Sequence, residues 1–271
     1  MTTIPLTYFD VAIALIPVAL LAVVLRLQRL QLTKPLVIAV VRLVLQLSLV
    51  GLVLKFVFGR ANPWLIASIS IIMLGVASYE IMARQKYRLK GWGTLKVGTG
   101  TLMISSFALT LFGLTLVVRP EPWYLPQYAI PLFGMVLSNT MTGISLGMDR
   151  LATSLFQNRQ IVEQRLMLGE TVWESLGGLI RDALRGGMIP VINAMATAGI
   201  VSLPGMMTGQ ILAGAPPTEA VKYQIMIWVM IAAGTGFGMI AAIYLTASSL
   251  FDNRARPHFE RFEKRRSGVV E

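Results

Sequence analysis

Hydrophobic runs long enough to cross a membrane are the feature that most constrains this 271-residue chain. A helix needs roughly 20 mostly apolar residues to cross the hydrocarbon core of a bilayer. Seven segments reach that length: 8–25, 36–58, 64–83, 97–118, 127–148, 188–213 and 223–250. We therefore predict an all-α, polytopic membrane protein. Its about seven transmembrane helices form one membrane domain over residues 1–252, followed by a basic tail over 253–271.

Composition supports a membrane protein and excludes disulfides, several kinds of metal site and a P-loop. Charged residues make up 14% of the chain, whereas soluble domains carry about 25%. There is no cysteine, and the one histidine, His258, lies in the tail, which excludes disulfides and a thiolate or histidine metal site in the body. No signal-peptide pattern opens the sequence, so its first apolar run is expected to remain. No G-x4-G-K-[ST] pattern occurs, which excludes a P-loop for ATP in this sequence.

The positions of Lys and Arg predict how the helices are oriented. Most of the 24 basic residues fall in the connections 26–34, 84–96 and 149–187 and in the tail, and the opposite connections hold few. Positive residues collect on the cytoplasmic side of membrane proteins. The chain is therefore predicted to have an outside N-terminus and a cytoplasmic C-terminus. The net charge of +11 is attributed to these loops rather than to nucleic-acid binding.

The long connection 149–187 carries an amphipathic pattern. Apolar residues recur at steps of three and four, which predicts a helix over 163–185 with possible bends at its glycines. The stripe comprises Val162, Leu166, Trp173, Leu176, Ile180 and Leu184, with Gly169 in its one gap. This helix leads into the sixth span, predicted to be broken at hinge residues Pro190, Pro204 and Gly205. The stripe could lie on the membrane, pack on its own bundle or contact a second copy. A docking helix for a soluble motor also explains its direct connection to the span.

Polar residues inside the predicted spans are candidates for a translocation path, because such residues are costly in hydrocarbon and usually have a role. They are Arg42, Gln46, Glu80, Ser138, Asn139, Thr142, Asn193, Thr197, Met206, Met207 and Gln210. Arg42 could instead extend to the inner headgroups and pair with Glu80. The hydroxyls of the fifth span, with Gly143 and Gly147, could serve helix packing. Methionines suit soft metals but more often provide adaptable packing, and the sequence assigns no metal ligands.

Two kinds of resemblance add to these patterns. Glu163 and Gly169 at E-x5-G spacing, followed by Pro190, resemble the coupling region of ABC-transporter permeases. Gln164-Arg165 replaces the Ala-Ala of that motif, and the proline comes later than in importers. More specifically, the segments 42–54, 131–150 and 189–225 resemble the FetB-like permease family of ABC transporters. That family includes a bacterial iron-exporter subunit and plant aluminium-tolerance membrane proteins.

The resemblance implies a permease subunit rather than an enzyme, located in the plasma membrane. It would export metal ions, with iron suggested, as part of cellular iron homeostasis, and would use ATP and Mg²⁺ bound by a separate ATPase subunit. A homodimer is expected, with Gly234 and Gly238 as possible contacts between copies. The residues assigned to ATPase coupling are Glu163, Gly169, Glu170, Trp173, Glu174 and Arg181. The alternatives are a stand-alone secondary transporter or channel, an intramembrane enzyme and a seven-helix receptor.

Overall fold

The computed structural model describes residues 7–59, 62–89, 93–252, 258 and 262–264. Six of its helical segments are long and apolar enough to cross a membrane. They are Tyr8–Leu27, Thr33–Phe58, Pro63–Arg84, Gly93–Val118, Pro126–Gln157 and Pro217–Ser249. The prediction of an α-helical, polytopic membrane protein is confirmed, and these segments correspond to the first five predicted spans and the last. Most of the predicted tail 253–271 lies outside the described residues.

The chain divides into two compact units. The first includes described residues 7–59 and contains α1 (Tyr8–Ala14), α2 (Ile16–Leu27) and α3 (Thr33–Phe58). The side chain of Thr7 caps α1 by accepting from the backbone N–H of Asp10 at 3.3 Å. The Thr33 hydroxyl donates to the backbone oxygen of Ala22 at 3.4 Å, which joins α2 to α3 as a helical hairpin.

The second unit contains the remaining helices, except for Leu212 at the end of α9, and a small two-stranded sheet. Pro63, Pro126 and Pro217 begin three of these helices, because the first turn of a helix needs no N–H from proline. The elements are α4 (Pro63–Arg84), β1 (Tyr87–Leu89), α5 (Gly93–Phe112) continued by a π-helical turn (Gly113–Val118), α6 (Pro126–Gln157), α7 (Arg159–Met167), α8 (Val172–Thr197), α9 (Gly205–Leu212), α10 (Pro217–Ser249) and β2 (Phe262–Lys264). The strands β1 and β2 pair antiparallel, with Tyr87 opposite Lys264.

Glycines allow α6 to pack closely against α8 and α10 at the centre of this unit. A Cβ at Gly143 would overlap Cγ2 of Thr235 on α10, and one at Gly187 of α8 would overlap Sδ of Met239. A Cβ at Gly147 would lie 2.9 Å from that same sulfur. The prediction that Gly143 and Gly147 serve helix packing is confirmed, since small residues let membrane helices approach each other.

Gly234 and Gly238 of α10 also pack within the chain. A Cβ at Gly234 would lie 2.9 Å from Oγ1 of Thr140, and one at Gly238 would lie 2.7 Å from Oγ of Ser105. The suggestion that this pair contacts a second copy is therefore wrong. Its small residues instead make room for α5 and α6 of the same chain.

The predicted sixth span is not one helix. The helix α8 continues through Pro190 and ends at Thr197, and the eight-residue α9 begins only at Gly205. Between them Gly199 has a φ of +84°, and its N–H donates to the backbone oxygen of Ser202 at 2.9 Å. Glycine adopts this left-handed conformation without strain, and it commonly ends a helix. The predicted break is therefore confirmed near Pro204 and Gly205, whereas a break at Pro190 is wrong.

Two of the predicted cytoplasmic connections lie at the same end of the bundle. The backbone N–H of Lys86 donates to Oδ1 of Asp149 at 2.6 Å. The rings of Tyr87 and Phe156 stack with their centroids 4.3 Å apart. The connection after α4 therefore contacts the carboxyl end of α6, as the Lys and Arg pattern requires. Which side of the membrane this end faces stays a prediction.

Candidate functional site

The segment predicted as a coupling helix is two helices joined by a sharp turn. The helix α7 ends at Met167, Gly169 has a φ of +92°, and α8 starts at Val172. The predicted bend at Gly169 is confirmed, and the helix is interrupted over residues 168–171, because Gly169 adopts a conformation that ends a helix. Gly177 and Gly178, the other possible bends, lie within α8. We call residues Met167–Thr171 the α7–α8 turn.

Hydrogen bonds and an ion pair fix the shape of this turn. Nε of Arg165 lies 2.8 Å from Oε2 of Glu170, and Nη1 of Arg165 donates to the backbone oxygen of Ser175 at 3.1 Å. The N–H of Glu170 donates to the backbone oxygen of Arg165 at 3.2 Å, which closes the end of α7. Arg165 therefore holds both sides of the turn, a role that the sequence pattern did not reveal.

Two large apolar side chains are exposed at this turn. Met167 is 79% exposed and Leu168 is 84% exposed, between the ion-paired residues of α7 and the start of α8. Neither belongs to the apolar stripe, so the periodicity argument missed them. The signal was present in the sequence, because Met and Leu off the apolar face of a polar helix have no core to enter.

The apolar stripe of α8, by contrast, packs within its own bundle. Leu176, Ile180 and Ala183 are buried in the core that includes α6 and α10. The ring of Trp173 lies 5.5 Å from that of Tyr244 on α10. Among the readings left open by the sequence, packing on the chain's own helices is the correct one for this stripe. Docking of this segment to a motor subunit stays a prediction.

The assigned coupling residues surround the α7–α8 turn with one exception. Glu163 pairs with Arg159 at 2.8 Å within α7, and Glu170 pairs with Arg165. Gly169 forms the turn, and Glu174 completes the capping box with Thr171, the N-cap residue of the following helix. Arg181 lies more than two turns further along α8 and is exposed to solvent.

The capping box at the start of α8 joins the Glu174 carboxyl to Thr171 and changes the pKa of that carboxyl. Oε2 of Glu174 accepts hydrogen bonds from the N–H of Thr171 at 2.8 Å and from its hydroxyl at 2.7 Å. The N–H of Glu174 donates in return to the Thr171 hydroxyl at 3.3 Å, which completes a capping box. The bonds from Thr171 lower the pKa of the Glu174 carboxyl below its ordinary value.

Replacing Thr171 with Ala is expected to raise the pKa of Glu174 towards its ordinary value, because Ala lacks the hydroxyl that donates to Oε2, while the backbone N–H at this position can still donate. Since the folded-state pKa is lowered, the cap contributes stability above the ordinary carboxyl pKa and loses it as the pH falls through the lowered value. A carboxyl ¹³C NMR titration measures the shift. Thr171→Ser keeps the hydroxyl and should keep the low pKa, and equal values in Thr171→Ala and the unchanged protein would contradict the assignment.

The structure distributes the predicted path residues over several helices. Arg42 and Gln46 lie on α3 of the first unit. Glu80 lies near the carboxyl end of α4, with Oε2 3.6 Å from Nε of Arg84. The further pairing of Arg42 with Glu80 stays a prediction.

The candidates on α6 occupy its less buried side. Asn139 and Thr142 are half-buried and Ser138 is exposed, while most of α6 is buried. Nδ2 of Asn139 donates to the backbone oxygen of Met135 at 2.8 Å, and the Thr142 hydroxyl donates to that of Ser138 at 2.9 Å. The donors are therefore satisfied within the helix, while the helix side that carries them is open.

The remaining candidates lie on either side of the helix break. Asn193 and Thr197 are exposed on the last turns of α8, and the Thr197 hydroxyl donates to the backbone oxygen of Asn193 at 3.0 Å. Met206, Met207 and Gln210 are half-buried on α9. Of these, Met207 lines a cavity together with Pro204 and residues of α10. Within the described residues no group of three His, Cys, Asp or Glu side chains could hold a metal ion.

The order and extent of these elements can be compared with known proteins. A family model described as an uncharacterised protein family, UPF0014, matches residues 8–251. The chain belongs to this family. The match spans every helix described above, so this UPF0014 protein has the family's domain along its whole membrane region.

Individual relatives agree with this assignment. The chain is 41% identical to a UPF0014 membrane protein from Synechocystis over 75% of its own length and 78% of that protein. It is 32% identical to the "Probable iron export permease protein FetB" of Escherichia coli over 92% of its length and 94% of that protein. It is 34% identical to the Arabidopsis thaliana protein "ALUMINUM SENSITIVE 3" over 88% of its length and 85% of that protein. No solved structure matches the chain.

Proposed function

We propose that this protein is the permease subunit of an ABC-type exporter in the bacterial inner membrane and moves metal ions, with iron as the suggested cargo, out of the cytoplasm. The observation that carries the proposal is the α7–α8 turn, which exposes Met167 and Leu168 at the start of a helix that continues into the apolar part of the chain. The name of the Escherichia coli relative supports iron as cargo and export as direction.

The continuous helix α8 provides a mechanical connection. Its 26 residues extend over about 39 Å at 1.5 Å per residue, and no break separates its charged first half from its apolar second half. A force applied at the α7–α8 turn therefore displaces the helix as a unit. Gly187 lies in the apolar half and contacts the backbone of Gly143 on α6, the helix that carries the open polar side.

The open polar side of α6 supports an assembly with a second copy. Polar side chains at membrane depth face the interior of a bundle or a water-filled cavity rather than lipid. Ser138 and Thr142 on α6, and Asn193 and Thr197 on α8, are exposed or half-buried in one chain. A second copy placed against this side would enclose them and form the path between the copies.

ATP and Mg²⁺ belong to a separate subunit in this proposal, because the sequence has no P-loop. An ATPase subunit would bind the exposed apolar residues of the α7–α8 turn. Closure of two ATPase subunits on ATP would then draw the two turns together and shift α8 against α6.

Reconstitution with an ATPase subunit tests the proposal. The protein is co-expressed with candidate ABC-type ATPase subunits, purified and placed in proteoliposomes, and ATP hydrolysis is measured across a panel of metal ions. We expect stable co-purification and a several-fold stimulation by Fe²⁺ over the ATPase alone. If none of the candidate ATPase subunits binds the protein, or none is stimulated by a metal ion, the proposal is refuted. Metal uptake without an ATPase would indicate a stand-alone transporter or channel.

A further inference from the structure

An open groove of about 460 Å³ lies between α5 and α10. Residues 96–109 of α5 and 237–245 of α10 line it, and we call it the α5–α10 groove. Its buried lining residues are small, whereas its large apolar lining residues are exposed. The small ones are Thr101, Ser105 and Gly238, and the large ones include Ile104, Phe237 and Leu245. The groove therefore has a floor of small residues between apolar side walls.

The polar groups in the floor are already satisfied. The Thr101 hydroxyl donates to the backbone oxygen of Val97 at 2.8 Å, and the Ser105 hydroxyl donates to that of Thr101 at 2.7 Å. Because both donors bond within α5, a hydrocarbon chain can lie against them without the loss of a hydrogen bond. This part of the lining therefore favours an apolar occupant.

Lys96 adds one positive charge to this lining. The residue is exposed, and it has no hydrogen bond or ion pair with the other residues that the structure describes. It lies in the first turn of α5, which contains no acidic residue and where the helix dipole favours an anion. Lys96 is thus a cation available to an occupant of the groove.

The position of Lys96 follows from the direction of the two helices. A Cβ at Gly238 would lie 2.7 Å from Oγ of Ser105, and one at Gly234 would lie 3.2 Å from Cδ1 of Leu109, so α5 and α10 are antiparallel. Lys96 therefore marks one end of the groove, the end that the Lys and Arg pattern predicts as cytoplasmic. From there to Leu109 the groove extends over about 20 Å at 1.5 Å per residue, which is comparable to one leaflet of a hydrocarbon core about 30 Å thick.

The width of the groove decides what can enter it. A volume of about 460 Å³ over about 20 Å gives a mean cross-section of roughly 23 Å². A helix with its side chains is about 10–12 Å across, so a helix of a second copy is too wide to lie in the groove. A single extended hydrocarbon chain fits. We propose that the α5–α10 groove binds one acyl chain of an anionic phospholipid, whose phosphate pairs with Lys96.

The charge of Lys96 distinguishes between headgroups. Phosphatidylcholine and phosphatidylglycerol both carry a phosphate, but the choline group brings a second positive charge close to Lys96. Phosphatidylglycerol has no such group and keeps a net negative charge, which attracts basic residues at the cytoplasmic ends of membrane helices. The apolar groove therefore accepts a chain of either lipid, and Lys96 provides the preference for the anionic one.

The lipid site is independent of the proposed transport function. None of its lining residues belongs to the α7–α8 turn or to the open polar side of α6. Loss of lipid binding is expected to leave ATPase binding unchanged. Conversely, failure to bind an ATPase would leave the lipid site intact.

Native mass spectrometry of the full chain tests the charge preference. The delipidated protein in detergent is titrated with phosphatidylglycerol and with phosphatidylcholine of the same acyl chains, and the affinity for the first bound lipid is compared. We expect phosphatidylglycerol to bind at least about fivefold more tightly, and Lys96→Gln to reduce this ratio about fivefold. Lys222→Gln is the matched control, because its ammonium pairs with Glu219 at 2.7 Å near the other end of α10. An equal ratio in Lys96→Gln and the unchanged protein would overturn the proposal.

A substitution in the floor separates the groove from a general attraction to the surface charge. Gly100 lines the groove, and a Cβ there meets no atom within 4 Å, so Gly100→Leu fills the groove without a clash in the chain. It should weaken the binding of both lipids at least about tenfold, because it displaces several methylene groups. Gly75→Leu, at an exposed position on α4 that is equally free of neighbours, should leave binding unchanged.

The same spectra report the oligomeric state of each variant. If Gly100→Leu binds phosphatidylglycerol as tightly as the unchanged protein, no acyl chain lies in the groove and the proposal is overturned. If Gly100→Leu also loses a dimer that the unchanged protein forms, while lipid binding persists, the groove belongs to a contact with a second copy instead.

Discussion

Leu168→Glu is expected to abolish co-purification with the ATPase subunit and to lower its affinity for the protein at least about tenfold. The few residues that dominate an interface contribute about 2 kcal/mol or more each, and about 1.4 kcal/mol corresponds to a factor of ten; Leu168→Glu would also place an unpaired charge in the interface. Leu168 is 84% exposed, so the substitution removes no packing contact from the core. The affinity of the purified permease for the ATPase, measured by surface plasmon resonance or microscale thermophoresis, gives the effect directly.

Two controls separate docking from folding and from charge. Leu168→Met keeps an apolar side chain on the turn and should retain binding. Gln127→Glu adds the same negative charge at the amino end of α6, the opposite end from the α7–α8 turn, and should also retain binding. If folded Leu168→Glu binds the ATPase as tightly as the unchanged protein, the turn is not the docking site.

Gly143→Ala is expected to destabilise the protein by about 1–3 kcal/mol, the cost of overpacking a filled core. The added methyl group would overlap Cγ2 of Thr235, a β-branched side chain with little freedom to move aside. For a chain of this size, each kcal/mol lowers the midpoint of thermal unfolding by about 2–4 °C. The midpoint measured in detergent therefore reports the close contact of α6 and α10.

A second substitution shows whether the overlap with Thr235 causes the loss of stability in Gly143→Ala. Thr235→Ser removes Cγ2, so the double variant Gly143→Ala/Thr235→Ser should recover most of the lost stability, as coupled neighbours do. Gly177→Ala is the matched control, because Gly177 lies within α8 and a Cβ there meets no atom within 4 Å. It should raise stability by roughly 0.5–1 kcal/mol. Equal effects of Gly143→Ala and Gly177→Ala would contradict the packing described here.

The membrane helices could be predicted because length and hydropathy are local properties of the sequence. The amino ends of α4, α6 and α10 could be predicted from the prolines in their first turns. The sixth span was harder, since its apolar residues belong to the end of one helix, a turn and a second short helix. Hydropathy averaged over that window does not register a change of backbone direction at Gly199.

The surfaces of the candidate site were less predictable, for physical reasons. Periodicity shows that one side of α8 is apolar, but it does not show whether Leu176 and Ile180 are covered by the same chain or by a partner. The spacing of Gly234 and Gly238 likewise indicates that another helix packs closely against α10, but it does not show which helix this is.

The unbroken path of α8 from the α7–α8 turn to Gly187 has a consequence for sequence length. Each residue inserted into a helix rotates everything beyond it by about 100° and moves it by about 1.5 Å. One added or deleted residue between Thr171 and Gly187 would thus turn the exposed Leu168 away from its present direction relative to the contact with Gly143. Proteins that share this arrangement can differ in composition along this stretch, but their residue count there is fixed by geometry.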